Sequence, residues 1–343
     1  MRAAIYPGNG QTVRIETVPD PVPAPGELLI KVDRCGICGT DLSMTRGGRW
    51  DFGQNVQFGH EYAGTVIGYG KGVEGWREGD HIAVLPSVAC GECRSCRSHG
   101  NNVLCASKPG NVMTGFAEYA RVPTSVATRL PSVLSMADGA LIEPLAISLY
   151  GVSLARIQPG NPVLVLGGGT VALYAIYWAR RLGAGKIVAM SRSPRRKDLS
   201  LAMGADVFMG YEECETGAVI EALGGVSPRL VFEAVGAEGM LHKAISHVAQ
   251  FGTVISLGFC TSPDSLIPAI AAYKCAAIQF AVGYRMNEFL YIADQMDKGH
   301  CDPKVIITRN EPLSALPAML ALLRGANEET KIHIHCNPGQ TDD

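Results

Sequence analysis

Little separates the acidic from the basic side chains of this sequence: 30 Lys and Arg against 32 Asp and Glu leave a formal net charge of −2 at pH 7. So neutral a surface has no counterion-release drive toward nucleic acid and no pull toward an anionic bilayer, and neither is expected as a partner. Long apolar runs are missing too. The opening Met1-Arg-Ala-Ala-Ile-Tyr-Pro-Gly breaks before a signal-peptide core can form, and no uninterrupted apolar stretch reaches membrane-spanning length, so the expected compartment is cytoplasmic. Nor is there a need for disulfides, because 343 residues, 47% of them apolar, can bury a large core and fill two domains without cross-links. Of the 11 cysteines, five stand at metal-ligand spacings, and Cys214, Cys260, Cys275, Cys301 and Cys336 are read as free thiols in the core.

What is present begins with Cys35-Gly-Ile-Cys38-Gly-Thr40-Asp41 and Gly59-His60-Glu61. A thiol, an imidazole and a carboxylate form a borderline-soft donor set that suits zinc, and three protein ligands with a fourth position open is the catalytic pattern. Zinc in such a place acts on an oxygen as a Lewis acid. Between the two motifs, a loop carrying Arg46, Arg49, Trp50 and Phe52 either lines a substrate pocket or fills local gaps. The motif Cys90-Gly-Glu-Cys93-Arg-Ser-Cys96, followed by Cys105, is different in kind. Four thiolates close in sequence complete a tetrahedral zinc site with no open position, which clips a loop without doing chemistry. A zinc-ribbon nucleic-acid module would need a basic flank that Arg94, Arg97 and Lys108 do not supply.

The first part of the chain is punctuated for β structure. Short β-branched runs at 2–6 and 12–18 precede a proline-rich stretch, and strand patterns follow at 27–32, 62–69 and 81–85. A helical stretch around 137–147 places Glu143 in apolar surroundings, either as an outer or exchangeable metal ligand or as a helix-start acid before Pro144. Beyond Pro162 the pattern turns α/β. The apolar strand 163–166, the turn Gly167-Gly-Gly169-Thr170-Val171-Ala172 and the apolar-faced helix 173–182 give the order a dinucleotide fingerprint requires, in which backbone amides meet a pyrophosphate at a helix N-terminus. The second strand, 186–190, lacks the terminal acid that would bind ribose hydroxyls. Ser191-Arg192-Ser193-Pro-Arg195-Arg196 stands there instead, a cluster suited to a 2′-phosphate, so NADP(H) is the expected cofactor. Later βα units place Val235 with Gly236, and Gly258 with Phe259, toward the nicotinamide end. Helices at 288–298 and 313–323 and a final strand at 331–335 follow, with His333 and His335 read as structural.

Taken together, Cys38-Gly-Thr40-Asp41, Gly59-His60-Glu61, the four-cysteine lobe, Glu143-Pro144 and the glycine turn resemble, in order, the zinc-dependent medium-chain dehydrogenase/reductase family over nearly the entire chain. The resemblance implies an α/β protein: a GroES-like β-barrel catalytic domain at 1–148, rejoined by 285–343, and a Rossmann doubly wound parallel sheet at 149–284. It implies a catalytic zinc held by Cys38, His60 and Glu61 or Glu143, and a structural zinc held by Cys90, Cys93, Cys96 and Cys105. Thr40 would pass on the alcohol proton, and the protein would be a homo-oligomer, dimer or tetramer. Glu143-Pro-Leu is closer to the polyol and threonine dehydrogenase branch, and Ser191-Arg192-Ser193 resembles the NADP-dependent members similar to cinnamyl alcohol dehydrogenase. Where many relatives carry a relay histidine this chain has Ser43, and the interval from Cys96 to Cys105 is one residue longer than in many of them.

The expected chemistry is reversible hydride transfer between NADP(H) and an alcohol or polyol and its aldehyde or ketone. A zinc-independent enone or quinone reductase would not need Cys38, His60 and Glu61 together. A non-catalytic NADPH-binding protein would bind cofactor without turnover.

Overall fold

The computed structural model describes residues 1–48, 50–108, 110–211 and 216–337. The chain divides into two compact units, Met1–Glu143 with Tyr284–Asp343, and Pro144–Gly283; the helix Met136–Leu154 carries it from one into the other. Arg49 and Cys214 lie outside the described residues.

The first unit is built on β strands whose apolar residues alternate with polar ones. In Glu27–Gly36 burial alternates along most of the strand, so one face packs inward while the other meets solvent or loops. Its sheet runs Ala127–Arg129, His81–Val84, Glu61–Tyr69, Glu27–Gly36, Lys331–His335, Ile307–Pro312, and Tyr119–Pro123 also pairs with Glu27–Gly36. The C-terminal strand Lys331–His335 is thus hydrogen-bonded, antiparallel, to a strand laid down 300 residues earlier. A smaller sheet joins Arg14–Thr17, Arg2–Tyr6 and Val56–Gln57.

In the second unit the strands read differently. Val163–Leu166 and Leu230–Glu233 are buried at every position, as strands covered on both faces must be. Six parallel strands lie in the order Val207–Gly210, Ile187–Ser191, Val163–Leu166, Leu230–Glu233, Thr253–Ser256, Ala277–Phe280, the three-two-one-four-five-six order of a dinucleotide-binding sheet. Leu164, Leu166, Val188, Val231 and Val254 pack against Val219, Ala244 and Ile245 of the flanking helices and Leu223 just past the first of them. Each such side chain is worth roughly 1.5–3 kcal/mol of burial. No helix among the described residues is long and apolar enough to cross a membrane.

Several expectations need correction. Cys301 and Cys336 are buried, but Cys260 is only partly so and Cys275 is exposed, in a left-handed position that ends the helix Pro268–Lys274. A thiol at a helix C-cap has no core to enter. Glu143 is not a helix-start acid: it sits in mid-helix, and Pro144 is accommodated inside Met136–Leu154. The region 313–323 opens as a 3-10 turn, Leu313–Ala315, before the α-helix Leu316–Arg324.

His333 is fully buried, and neither ring nitrogen has a hydrogen-bond partner among the described residues. Burial, reinforced by the charges of Lys331 and Arg34, holds its pKa well below the ordinary 6.5. The unfolded chain therefore takes up a proton at His333 before the folded chain does. The neutral side chain's contribution to stability is intact above about pH 6.5 and is lost progressively as pH falls below it. Denaturant midpoints measured from pH 7.5 to 4.5 should show this acid limb, and His333→Leu should flatten it while leaving stability at neutral pH unchanged or raised.

Candidate active site and cofactor site

Strand register assembles the first site. Glu27–Gly36 and Glu61–Tyr69 pair antiparallel with Gly36 opposite Glu61, so the chain leaving one strand toward Cys38 runs beside the chain entering the other at His60. Cys38 then becomes the N-cap of the short helix Gly39–Met44, its sulfur accepting the Thr40 amide at 3.5 Å. Asp41 closes the cap by accepting the Cys38 amide at 2.9 Å. One donor atom from each of Cys38, His60 and Glu61 falls within 4.8 Å of the others.

Two charged residues hold that set in place, and neither is assigned a role in the sequence reading. Asp41 is fully buried, with Oδ1 3.3 Å from Nδ1 of His60, an ion-pair contact without hydrogen-bond geometry. It fixes one ring nitrogen and leaves the other for a ligand, as a carboxylate behind a metal-binding histidine does. Burial works against a charged His60, but Asp41 and the Cys38 sulfur outweigh it and hold its pKa well above the ordinary value. Lys331, at the start of the last strand, donates to Glu61 Oε2 at 2.5 Å and to Ile37 O at 3.0 Å, with both charged side chains 1% exposed. Burial opposes the ammonium, and Glu61 and Cys38 overcome it, raising its pKa. The carboxylate lies so close to the neighbouring strand that a Cβ on Gly36 would stand 2.2 Å from Oε2. Asp41 had a sequence signal, three residues after Cys38 in capping-box spacing. Lys331 had none.

Glu143 is buried beside the three-donor set, not within it. Its Oε1 accepts the Tyr284 hydroxyl at 2.9 Å. Burial and the nearby Glu61 charge push its pKa up to about 7, against the opposing pull of His60 and Tyr284. Thr40 is half-buried at the first turn of its helix, whereas Ser43 donates its hydroxyl proton to Gly39 O at 2.7 Å, back along the helix. Of the loop with the aromatic residues, Phe52 packs on Phe58 with ring centres 5.6 Å apart, and Trp50 is exposed.

The four-cysteine lobe gathers all of its members. Cys93 and Cys96 sulfurs are 3.4 Å apart, Cys90 and Cys105 3.6 Å, and Cys90 and Cys96 3.9 Å. Four sulfurs bound about 2.3 Å from one tetrahedral centre lie about 3.8 Å from each other, so the spacing fits an enclosed zinc. Backbone amides, that of Cys96 foremost, lower Cys93 to about 6, and the Cys90 amide leads in lowering Cys105 to about 7. Burial and the sulfur neighbours raise Cys96 to about 12.

In the second unit, Gly169 is the N-cap of the helix Thr170–Arg181 and no side-chain cap closes that end, so the helix start that carries Thr170 and Val171 offers an anion the positive end of the helix dipole. Ser191 and Arg196 flank Gly168: a Cβ there would meet Ser191 Oγ at 3.1 Å and the Arg196 side chain at 3.3 Å. Ser193 accepts from Arg195 Nε at 2.9 Å, and Arg192 is exposed. Val235 and Phe259 are exposed on neighbouring loops, with Gly258 beside them. Removing the charge that balances Glu61 should be costly: Lys331→Met is expected to lose about 3–5 kcal/mol in chemical denaturation. The double variant Lys331→Met with Glu61→Gln should recover a large part of it.

Family models agree with this anatomy. An alcohol dehydrogenase GroES-like domain matches residues 24–132, and a zinc-binding dehydrogenase domain matches residues 170–297. Sorbitol dehydrogenase of Bacillus subtilis (strain 168) is 32% identical over 354 residues, covering 98% of each chain. L-galactonate-5-dehydrogenase of Escherichia coli (strain K12) is 34% identical over 306 residues, covering 86% of this chain and 87% of the relative. Among solved structures, a protein of Sinorhizobium meliloti 1021 assigned as a zinc-binding dehydrogenase and bound to NADP superimposes with a TM-score of 0.88 at 28% identity, covering 97% of this chain and 98% of that one. With a GroES-like domain, a Rossmann sheet and the family's donor motifs all in sequence, the chain belongs to the zinc-type medium-chain dehydrogenase family.

Proposed function

We propose that this protein is a zinc-dependent, NADP(H)-preferring dehydrogenase that interconverts an alcohol or polyol with its aldehyde or ketone. The observation that carries the reading is the convergence of Cys38, His60 and Glu61 within 4.8 Å, with the buried charges of Asp41 and Lys331 set against His60 and Glu61. Sulfur, nitrogen and carboxylate donors fit zinc, and Glu143, whose charge is felt by His60 and Glu61, is the alternative carboxylate to Glu61, whose Oε2 is committed to Lys331. When bound, zinc supplies a Lewis acid for the substrate oxygen and the nicotinamide supplies or takes the hydride. The chain's own residues do the rest. Asp41 orients the imidazole, Lys331 holds the Glu61 carboxylate against Gly36, and the Thr40 hydroxyl relays the alcohol proton, taking it up while passing its own on to solvent in oxidation and working in reverse in reduction. Ser43, whose proton is used within its helix, stays outside this path. A second zinc in the four-cysteine lobe would be structural.

The NADP(H) preference rests on Ser191, Arg192, Ser193 and Arg196 beside the glycine turn, with no acid at the end of the second strand. The sorbitol and galactonate dehydrogenase relatives support a polyol or sugar acid as substrate. The exposed Ile267, Tyr273 and Phe280 support a homo-oligomer.

Cys38→Ser and His60→Ala should each abolish turnover in an alcohol and aldehyde screen read at the reduced-nicotinamide absorbance, with thermal midpoint and secondary structure kept. Cys93→Ser should chiefly lower the midpoint. Full turnover after zinc is removed would refute zinc dependence. The kcat/KM with NADP should exceed that with NAD, and the reverse order would refute the cofactor assignment.

A further inference from the structure

The last residue of the fourth parallel strand in chain order, Glu233, is 2% exposed, and its carboxylate is bonded by backbone amides and a hydroxyl. Its Oε1 accepts two backbone amides, Val235 at 2.7 Å and Gly236 at 2.8 Å, and Oε2 accepts the Ser256 hydroxyl at 3.4 Å. Its carbonyl oxygen accepts the amides of Leu257 at 2.7 Å and Gly258 at 3.0 Å. One residue therefore binds the two segments that follow strands Leu230–Glu233 and Thr253–Ser256: the first through its side chain, the second through its backbone.

The loops also touch directly. A Cβ on Gly258 would fall 2.1 Å from the Gly236 nitrogen and 2.9 Å from Glu233 Oε2, so the close approach requires glycine there. Gly236 itself has φ +66°, a left-handed turn that brings its amide back to the carboxylate. The clasp borders a cleft of about 210 Å³ whose walls include Ser256, Phe259, Phe280 and Val282. A carboxylate buried at this depth is expensive unless its lone pairs are occupied, and here they are occupied by the first loop's amides and by the hydroxyl of Ser256 at the end of the next strand.

We propose that Glu233 is a positioning residue that locks the Val235–Gly236 and Gly258–Phe259 loops into one arrangement and so sets the seat of the nicotinamide half of the cofactor without touching it. This rests on the reading above that these loops receive the nicotinamide end. The role belongs to the acceptor geometry of the side chain, not to its charge, because both oxygens are used as hydrogen-bond acceptors. A carboxamide can still accept both amides through its oxygen and donate to Ser256 through its nitrogen.

The test separates the two halves of the cofactor in the full-length protein. Adenosine 2′,5′-bisphosphate probes the adenine half, and NADPH, followed by the fluorescence of its bound nicotinamide, probes the whole. Glu233→Ala should weaken NADPH binding about tenfold and reduce the bound-nicotinamide fluorescence, with adenosine 2′,5′-bisphosphate binding unchanged. Glu233→Gln should restore both to near the wild-type level. Equal loss for both ligands, wild-type behaviour of Glu233→Ala, or a Gln variant as impaired as the Ala variant would overturn the proposal. If Glu233→Ala does not fold, Gly258→Ala must give the same loss confined to the nicotinamide half, since it drives the loops apart with the carboxylate in place; an unimpaired Gly258→Ala refutes it. A wild-type protein that binds NADH in place of NADPH would overturn only the cofactor preference, and the comparison is then made with 5′-AMP and NADH. Binding of neither would overturn the cofactor reading and this inference together.

Discussion

A carboxylate taken out of water stays charged only if a cation or several donors come with it, and the first unit is organised around that constraint at Glu61. Its partner, Lys331, arrives on the last strand of the chain, so the C-terminal segment must return and pair beside Glu27–Gly36 before the charge is balanced. The same ammonium bonds Ile37 O, one residue short of Cys38. Sheet formation, charge neutralisation and placement of the thiol are therefore one event. The energetic return of such a buried pair is modest; what it provides is a single allowed position for each donor.

A second carboxylate, Asp41, performs a comparable task by other means. It closes the helix cap whose first residue is Cys38 and stands behind the His60 ring. In the second unit Glu233 shows a third solution, in which backbone amides and a hydroxyl neutralise a buried acid without a cation. All three acids sit at the first or last residue of a strand or in the first turn of a helix. There the backbone has donors to spare, so the chain can be held in a definite shape beyond its regular structure.

The four-cysteine lobe contrasts with the Cys38 site. Its sulfurs lie within one short segment, Cys90 to Cys105, and need no distant strand to meet. Such a site is local, which is why its members were readable from spacing alone, including Cys105 after its longer interval. Cys38, His60 and Glu61 were readable as donor types, but their meeting depends on the register that sets Gly36 opposite Glu61. The thiols read as core residues show the limit of composition: Cys275 is as apolar as Cys336, yet it ends a surface helix while Cys336 is buried beside Gly115.

By itself the sequence determined the elements whose signals are short-ranged. These are the alternating strands of the first unit, the continuous apolar strands and glycine turn of the second, the cysteine spacing, and the absence of an acid where Ser191 stands. Each depends on periodicity, turn chemistry or ligand type within a few residues, and those are local properties. Only the tertiary structure decided that Lys331 balances Glu61, that Tyr284 bonds Glu143, that His333 lies buried with no hydrogen-bond partner among the described residues, and that Glu233 binds two loops at once. Apart from the bonds of Glu233 to its own following turn, those pairings join residues from 23 to 270 positions apart. No local pattern encodes them, because what selects them is the cost of leaving a buried charge or polar atom unanswered once the strands have closed over it.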